Sequence, residues 1–418
     1  VLILPYFSGE VMLLKRFAFL VVAIVALIYT GVTEIRAANF TDLFRSGLDA
    51  EDAGNLDDAL ARLSEALKLH GQSAHAWAKR GEVNLRKGDP QSAIKDLLQA
   101  VKLDPAYAAA YTRLGFAYNA SNEYDRAIEA LNHAVQLDPT SSEALNTRGF
   151  AFNGKHDYDS AVRDFDAAIR LNSNDARYYN NRGFALNGKH EYARAIEDFD
   201  RAISLDSSKA MYFNNRGVAH LRQKDFDKAL EDFDHTLKLD SKFSSAYHNR
   251  GMALSGKGRH DKAVEEISKV IEMNPDSPLL HKDRGTAYRK MGEFELALKD
   301  LEKAIDLDKK FAPGYAALAQ VYAFSTDPKY KNPAMALKLA EKALALGKGD
   351  SPDLLENLAE IQYANNQKTL AISTLQKALT MDPTNKEYIE MLTKWQGSPS
   401  GTATGTPVTG PSPFNNLW

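Results

Sequence analysis

Small residues recur along this chain at a spacing of 34: Gly47, Gly81, Gly115, Gly149, Gly183, Gly217, Gly251, Gly285 and Ala319. Twelve residues after each of the first eight stands Ala59, Ala93, Ala127, Ala161, Ala195, Ala229, Ala263 or Ala297. Seven later come Ala66, Ala100, Ala134, Ala168, Ala202, Thr236, Val270 and Ala304. A tenth copy carries Ala359, Ala371, Ala378 and Pro383, and Pro105, Pro139 and Pro275 close earlier copies. A unit of fixed length repeated this often grows along one axis and shares its core with its neighbours, so ordinary domain counting by length does not apply. Each unit holds two apolar-striped segments of helix length, split by a polar turn such as Lys87–Asp89 or Lys155–Asp157. The small residues let the two helices approach closely. Neither helix can bury its stripe alone, so the units must stack.

This pattern resembles the tetratricopeptide repeat family, over about residues 40–392. The resemblance implies an all-α fold, a right-handed superhelical α-solenoid of about ten helix-turn-helix repeats whose first helices line a concave groove. The spacing breaks once: after Ala319 the next matching alanine, Ala336, comes five residues late. The extra residues fall in Ser325–Pro333, the turn of the ninth unit, either as a tolerated insertion or as a contact loop.

The residue before the marker glycine is usually leucine in this family, but here it is often arginine. Arg80, Arg148, Arg182, Arg216, Arg250 and Arg284 occupy it, and sixteen residues on stand Asp96, Asp164, Asp198, Asp232, Glu266 and Asp300. Units without the arginine also lack the acid: Leu114 goes with Ala130, Leu318 with Leu339 across the insertion, and Leu358 with Thr374. Removing one partner of a buried ion pair is costly, whereas replacing both by apolar groups can be neutral. The paired changes therefore predict partly buried ion pairs between the two helices of one unit, rather than an arginine row for anionic ligands.

By the same resemblance, the first helices expose Asn146, Asn180, Asn181, Asn187, Asn214, Asn215, His248 and Asn249 to the groove, with Asn119 and Asn153 at related offsets. An asparagine amide both donates and accepts, so a ladder of them can bind the main chain of an extended peptide. Similar ladders occur in the repeat domain of O-linked N-acetylglucosamine transferases. Some of these amides could instead bridge neighbouring helices. Phe116, Phe150 and Phe184 stand beside them and either contact a ligand or pack between units. The carboxylate clamp of chaperone-binding members needs asparagine where this chain has Phe116, Phe150, Phe184 and Val218, so that binding mode is not expected. Lys282, Arg289 and Lys290 form a basic cluster in the eighth unit, read as a solvated face or a site for an acidic segment.

Residues 1–38 read as a signal peptide or membrane anchor. Lys15 and Arg16 precede an apolar run from Phe17 to Val32, and Ala37 and Ala38 offer a cleavage point. The run is short for a membrane span, which needs about 20 residues. The array of residues 39–396 is then expected outside the cytoplasm, in the periplasm, or anchored to the inner membrane if the segment stays uncleaved. Residues 397–418, rich in Gly, Pro, Ser and Thr without periodicity, read as a disordered tail. The chain has no cysteine, which removes disulfides, thiol nucleophiles and cysteine-bound zinc. Its net charge of −3 gives no general attraction to nucleic acid. No phosphate loop, nucleophile elbow or metalloprotease helix is present, and the histidines are scattered, although His156 and His190 share one turn in adjacent units. The expectation is a non-enzymatic scaffold without cofactor or metal. Its partner would be a protein or extended peptide, and it would meet a membrane only through an uncleaved N-terminal segment. The alternative is a recruiting or regulatory subunit of an enzyme or envelope complex.

Overall fold

The computed structural model describes residues 37–349 and 351–396. Most of the expected N-terminal targeting segment and all of the expected tail lie outside the described residues. Those described fall into two compact units divided between Leu205 and Asp206. The first contains α1 (residues 37–52), α2 (Leu56–Leu69), α3 (Ala74–Arg86), α4 (Pro90–Leu103), α5 (Ala108–Ala120), α6 (Tyr124–Leu137), α7 (Ser142–Gly154), α8 (Tyr158–Leu171), α9 (Ala176–Gly188) and α10 (Tyr192–Leu205). The second contains α11 (Ala210–Arg222), α12 (Phe226–Leu239), α13 (Ser244–Gly256), α14 (His260–Met273), α15 (Pro278–Met291), α16 (Phe294–Leu307), α17 (Ala312–Phe324), α18 (Pro333–Leu346), α19 (Pro352–Ala364), α20 (Lys368–Met381) and α21 (Lys386–Gln396). No strand occurs among the described residues. The fold is thus all-α, of the right-handed superhelical α-solenoid class that the sequence predicts, with five helix pairs in each unit and α21 closing the second.

Local chemistry sets the helix ends. Ser73, Asp89, Ser141 and Asp157 each accept a backbone N–H of the following first turn, and Pro90 adds a preset φ at the start of α4. Each first helix of the regular repeats stops in a left-handed residue that turns the chain back. Gly88 has φ of 81° there, and the equivalent Asn122, His156 and His190 adopt 59°, 61° and 61°. The two histidines sit in these turns with Nδ1 within 2.8 and 2.6 Å of the hydroxyls of Tyr158 and Tyr192, so they are turn residues bonded locally.

The marker glycines are contact points between paired helices. A Cβ on Gly115 would lie 2.3 Å from Leu131, and one on Gly183 would lie 2.8 Å from Phe199. In every unit from Gly47 to Gly285 the opposing side chain is sixteen residues on, and Phe165, Phe199 and Phe233 there are fully buried. A second row of glycines, Gly154, Gly188 and Gly256, lies against Tyr124, Tyr158 and Phe226 of the preceding pair. At these three junctions the pairs stack by inserting an aromatic ring from one second helix against the next first helix. Contacts that skip one helix recur between successive first helices, such as α5 with α7 and α15 with α17. The first helices thus form the inner layer of each unit.

The arginine–acid pairs are present as expected, and five of the six arginines also bond to the preceding second helix. Arg182 donates Nε and Nη2 to Asp198 at 2.8 and 2.6 Å, in bidentate geometry, while Nη1 donates to Asp166 of the preceding second helix at 2.6 Å. Arg80, Arg148 and Arg284 repeat this with Asp96, Asp164 and Asp300, their third arms reaching Ser64, Asn132 and Ser268. Arg250 joins Glu266 and Asp234, and Arg216 clasps Asp232. The carboxylates are almost wholly buried, Asp198 being 5% exposed. Burial raises the Asp198 pKa despite its arginine, so the pair specifies geometry more than it adds net stability.

The extra residues of the ninth unit fold back on their neighbours. Asn332 donates its backbone N–H to Tyr322 O at 2.9 Å and caps α18. Tyr330 packs on Phe294, ring centres 5.9 Å apart.

Candidate peptide-binding face

In the first unit the inner face carries a row of aromatic rings. Phe116, Phe150 and Phe184 follow their marker glycines by one residue and are 55%, 47% and 52% exposed. They do not pack between units, because that position on the first helix points away from the paired second helix. Burying the exposed half of such a ring removes roughly 100 Å² of apolar surface from water, a gross gain of about 2–3 kcal/mol each.

Most of the asparagines bridge neighbouring residues or helices, and several of these keep part of their surface in the open. Asn119 Nδ2 donates to Thr147 O at 2.9 Å and Asn153 Nδ2 to Asn181 O at 3.3 Å, tying successive first helices together. Asn181 Nδ2 donates to Asn146 Oδ1 at 3.0 Å, and Asn181 Oδ1 accepts from Asn180 Nδ2 at 3.2 Å. In the second unit Asn249 Nδ2 donates to Asn214 Oδ1 at 3.0 Å, and Asn214 Nδ2 to Asn215 Oδ1 at 3.4 Å. His248 continues the same line, its Nε2 2.7 Å from Asp283 Oδ2. Burial alone would raise the Asp283 pKa, but the hydrogen bond to His248 and the Lys282 ammonium hold it below the usual range. Asn180 and Asn214 are buried and have little surface to offer a ligand, while Asn146, Asn181, Asn187, Asn215, His248 and Asn249 are half-buried. The Oδ1 atoms of Asn119, Asn153 and Asn187 are buried without a hydrogen-bond partner. Sequence spacing gives the row. Which amides are spent on the neighbouring helix depends on side-chain directions that spacing does not carry.

The second unit departs from the nearly uncharged groove that the asparagine row suggests. Arg289 and Lys290 on α15 are half-buried rather than freely solvated. Burial, with Arg289 adding, lowers the Lys290 pKa to about 8. On α19, burial raises Glu356 to about 8, with Glu360 as the next cause, and raises Glu360 to about 7. Glu356 and Glu360 escaped the sequence reading, although they stand three before and one after Ala359, at offsets equivalent to His248 and Phe184. Among the described residues no three His, Cys, Asp or Glu side chains gather as a metal site, and no helix is long and apolar enough to cross a membrane.

Tetratricopeptide repeat profiles match residues 44–106, 84–148, 154–210, 210–243, 244–277, 278–311 and 332–386. The chain belongs to the tetratricopeptide repeat family. No curated protein matches it in sequence. Among solved structures, a tetratricopeptide repeat protein from Parabacteroides merdae is 17% identical with a TM-score of 0.50, covering 62% of this chain and 99% of its own. Yeast Tom70 is 16% identical with a TM-score of 0.43, covering 86% of this chain and 96% of its own. MamA from Desulfovibrio magneticus is 23% identical with a TM-score of 0.37, covering 41% and 96%. Repeats of this family suggest a protein-interaction scaffold.

Proposed function

We propose that this chain is a non-enzymatic scaffold that holds an extended peptide or a partner protein against the inner face of its first helices. The observation that carries the reading is the row of half-exposed rings, Phe116, Phe150 and Phe184, repeated once per helix pair beside half-buried amides. The rings offer apolar contact, and Asn146, Asn181 and Asn187 keep amide capacity for a ligand main chain. In the second unit Asn215, His248 and Asn249 fill the corresponding role. The basic start and apolar run before Asn39 support export, so the scaffold acts in the periplasm or tethered to the inner membrane's outer surface.

The test is binding of the full chain to an array of immobilised 15-residue peptides, compared with a variant carrying Phe116→Ser, Phe150→Ser and Phe184→Ser. Half-exposed rings are removable without opening the core, so the variant keeps its helical circular dichroism. Loss of at least about tenfold in affinity, equivalent to about 1.4 kcal/mol, is expected. Undiminished binding by a folded variant would overturn the proposal.

A further inference from the structure

Among the described residues, the inner face of the second unit carries Arg289, Lys290, Glu356 and Glu360 without a hydrogen-bonded or ion-paired partner. Arg289 and Lys290 project from the C-terminal half of α15, and Glu356 and Glu360 stand on α19. Glu360 is 8% exposed, and its Oε1 is buried without a partner. The two helices are separated in sequence by α17, whose residues at the inner-face offsets are Ala316, Ala317, Gln320 and Ala323. Three of those four are alanine, which keeps the floor low, and α15 and α19 both pack on α17. Cations on one wall thus look across alanines at carboxylates on the other. The arginine charge is felt at Glu360, yet no ion pair closes between them.

Several other charges around this face are paired, while Asp353 in the first turn of α19 adds a further carboxylate near Glu356. Lys282 pairs with Asp283, which also holds His248, while His281 lies between Asp300 and Pro275 O. At the rim, Lys224 in the turn after α11 pairs with Glu387 at the start of α21, spanning the unit from its first pair to its last helix. Unpaired charge in a partly dry site is costly and finds its explanation in a partner that brings the opposite charge.

We propose that the inner face of the second unit binds an extended protein segment bearing an acidic and a basic side chain a few residues apart. Its carboxylate is met by Arg289 and Lys290, and its ammonium or guanidinium by Glu356 and Glu360. The scaffold reading enters only in taking the ligand to be polypeptide, and the residues involved are separate from the phenylalanine row. Charge complementarity selects this occupant: an all-acidic segment would face the carboxylates, an all-basic one the arginine, and an uncharged one would leave all four groups unmatched. Because the acids are held partly protonated, a bound cation drives a proton off at neutral pH.

The experiment uses the full chain and end-capped ten-residue peptides of Gly and Ser carrying one Lys and one Asp at separations of one to four residues. Lys-only, Asp-only and uncharged peptides serve as comparisons. Fluorescence anisotropy is expected to show at least one two-charge peptide binding tenfold or more tighter than either single-charge peptide. Glu360→Gln removes the gain from Lys, and Arg289→Gln removes the gain from Asp. Calorimetry in two buffers of different ionisation enthalpy at pH 7 reads the released proton on the unaltered chain, so the result does not depend on a variant folding. The Phe116, Phe150 and Phe184 substitutions leave this binding unchanged, which separates its failure from failure of the first-unit reading. Equal affinity for single- and two-charge peptides would overturn the inference. So would carboxyl NMR placing Glu360 below 4.5 without ligand, the mark of a direct pair with Arg289.

Discussion

Removing Asp198 should unsettle the first unit far more than removing it together with its arginine. Arg182 makes two charged hydrogen bonds to Asp198 at 2.8 and 2.6 Å and one to Asp166 at 2.6 Å. Asp198→Ala deletes two of the three, each worth about 1.5–3 kcal/mol. The guanidinium is 22% exposed and keeps Asp166, so the loss falls near the lower end, about 3 kcal/mol. Arg182→Leu strands a carboxylate that burial already holds above its ordinary pKa, at a similar cost. The double variant reproduces the Leu114 and Ala130 combination found elsewhere in the chain and should lose about 1 kcal/mol. A coupling of at least about 3 kcal/mol follows. Asp198 has a raised folded pKa, so the stability linked to its proton is complete below the unfolded carboxylate pKa and is lost as pH rises through the folded value. The cost of Arg182→Leu should accordingly shrink in acid. Urea unfolding analysed with a nearest-neighbour scheme, with hydrogen exchange on α9 and α10, measures these terms. Simple additivity, with the double variant losing about 6 kcal/mol, would refute the reasoning.

Two further outcomes follow from the packing and the charges. Gly115→Ala places a Cβ 2.3 Å from Leu131, so overpacking of about 1–3 kcal/mol outweighs the helix-propensity gain of up to about 1 kcal/mol, and the urea midpoint should fall. The second unit should be least stable near pH 8. Glu356 and Glu360 have raised values of about 8 and 7, so their contribution is full below 4.5 and is lost as pH rises through those values. Lys290 is lowered from 10.5 to about 8, so its contribution is full above 10.5 and is lost as pH falls through about 8. Shifts of this size correspond to at most about 3 kcal/mol per group for Glu360 and Lys290. Melting temperatures across pH 5 to 10 would trace the minimum, and Glu356→Gln should flatten its acid side; a flat profile in the parent chain rejects the assignment.

The repeat was legible because glycine is placed by contact with one opposing side chain, and that contact recurs at a fixed offset. The arginine–acid pairs were legible because both members change together. Their third arms were not, since Ser64, Asn132, Asp166, Asp234 and Ser268 share only the ability to accept a hydrogen bond. The phenylalanine row could be found by spacing, but its exposure could not: an apolar residue at helical spacing is equally at home in a core. The charged face of the second unit was hidden for another reason. Arg289 and Glu360 belong to helices two repeats apart, and only the packing of both helices on α17 brings their fields together.

Because Arg80, Arg148, Arg182, Arg250 and Arg284 each grip both their own second helix and the preceding one, they act as rivets through three helices. The rivets are missing at Leu114, Leu318 and Leu358, where apolar packing and isolated bonds, such as Asn119 to Thr147 O, Asn357 to Ala316 O and Thr374 to Gln362, join the helices instead. A partner pulling along such an array would meet uneven resistance. In the second unit the pairs held by Arg250 and Arg284 would stay whole while those beyond Leu318 gave way first. The mechanical order of yielding is thus written into one side-chain position, repeated every 34 residues.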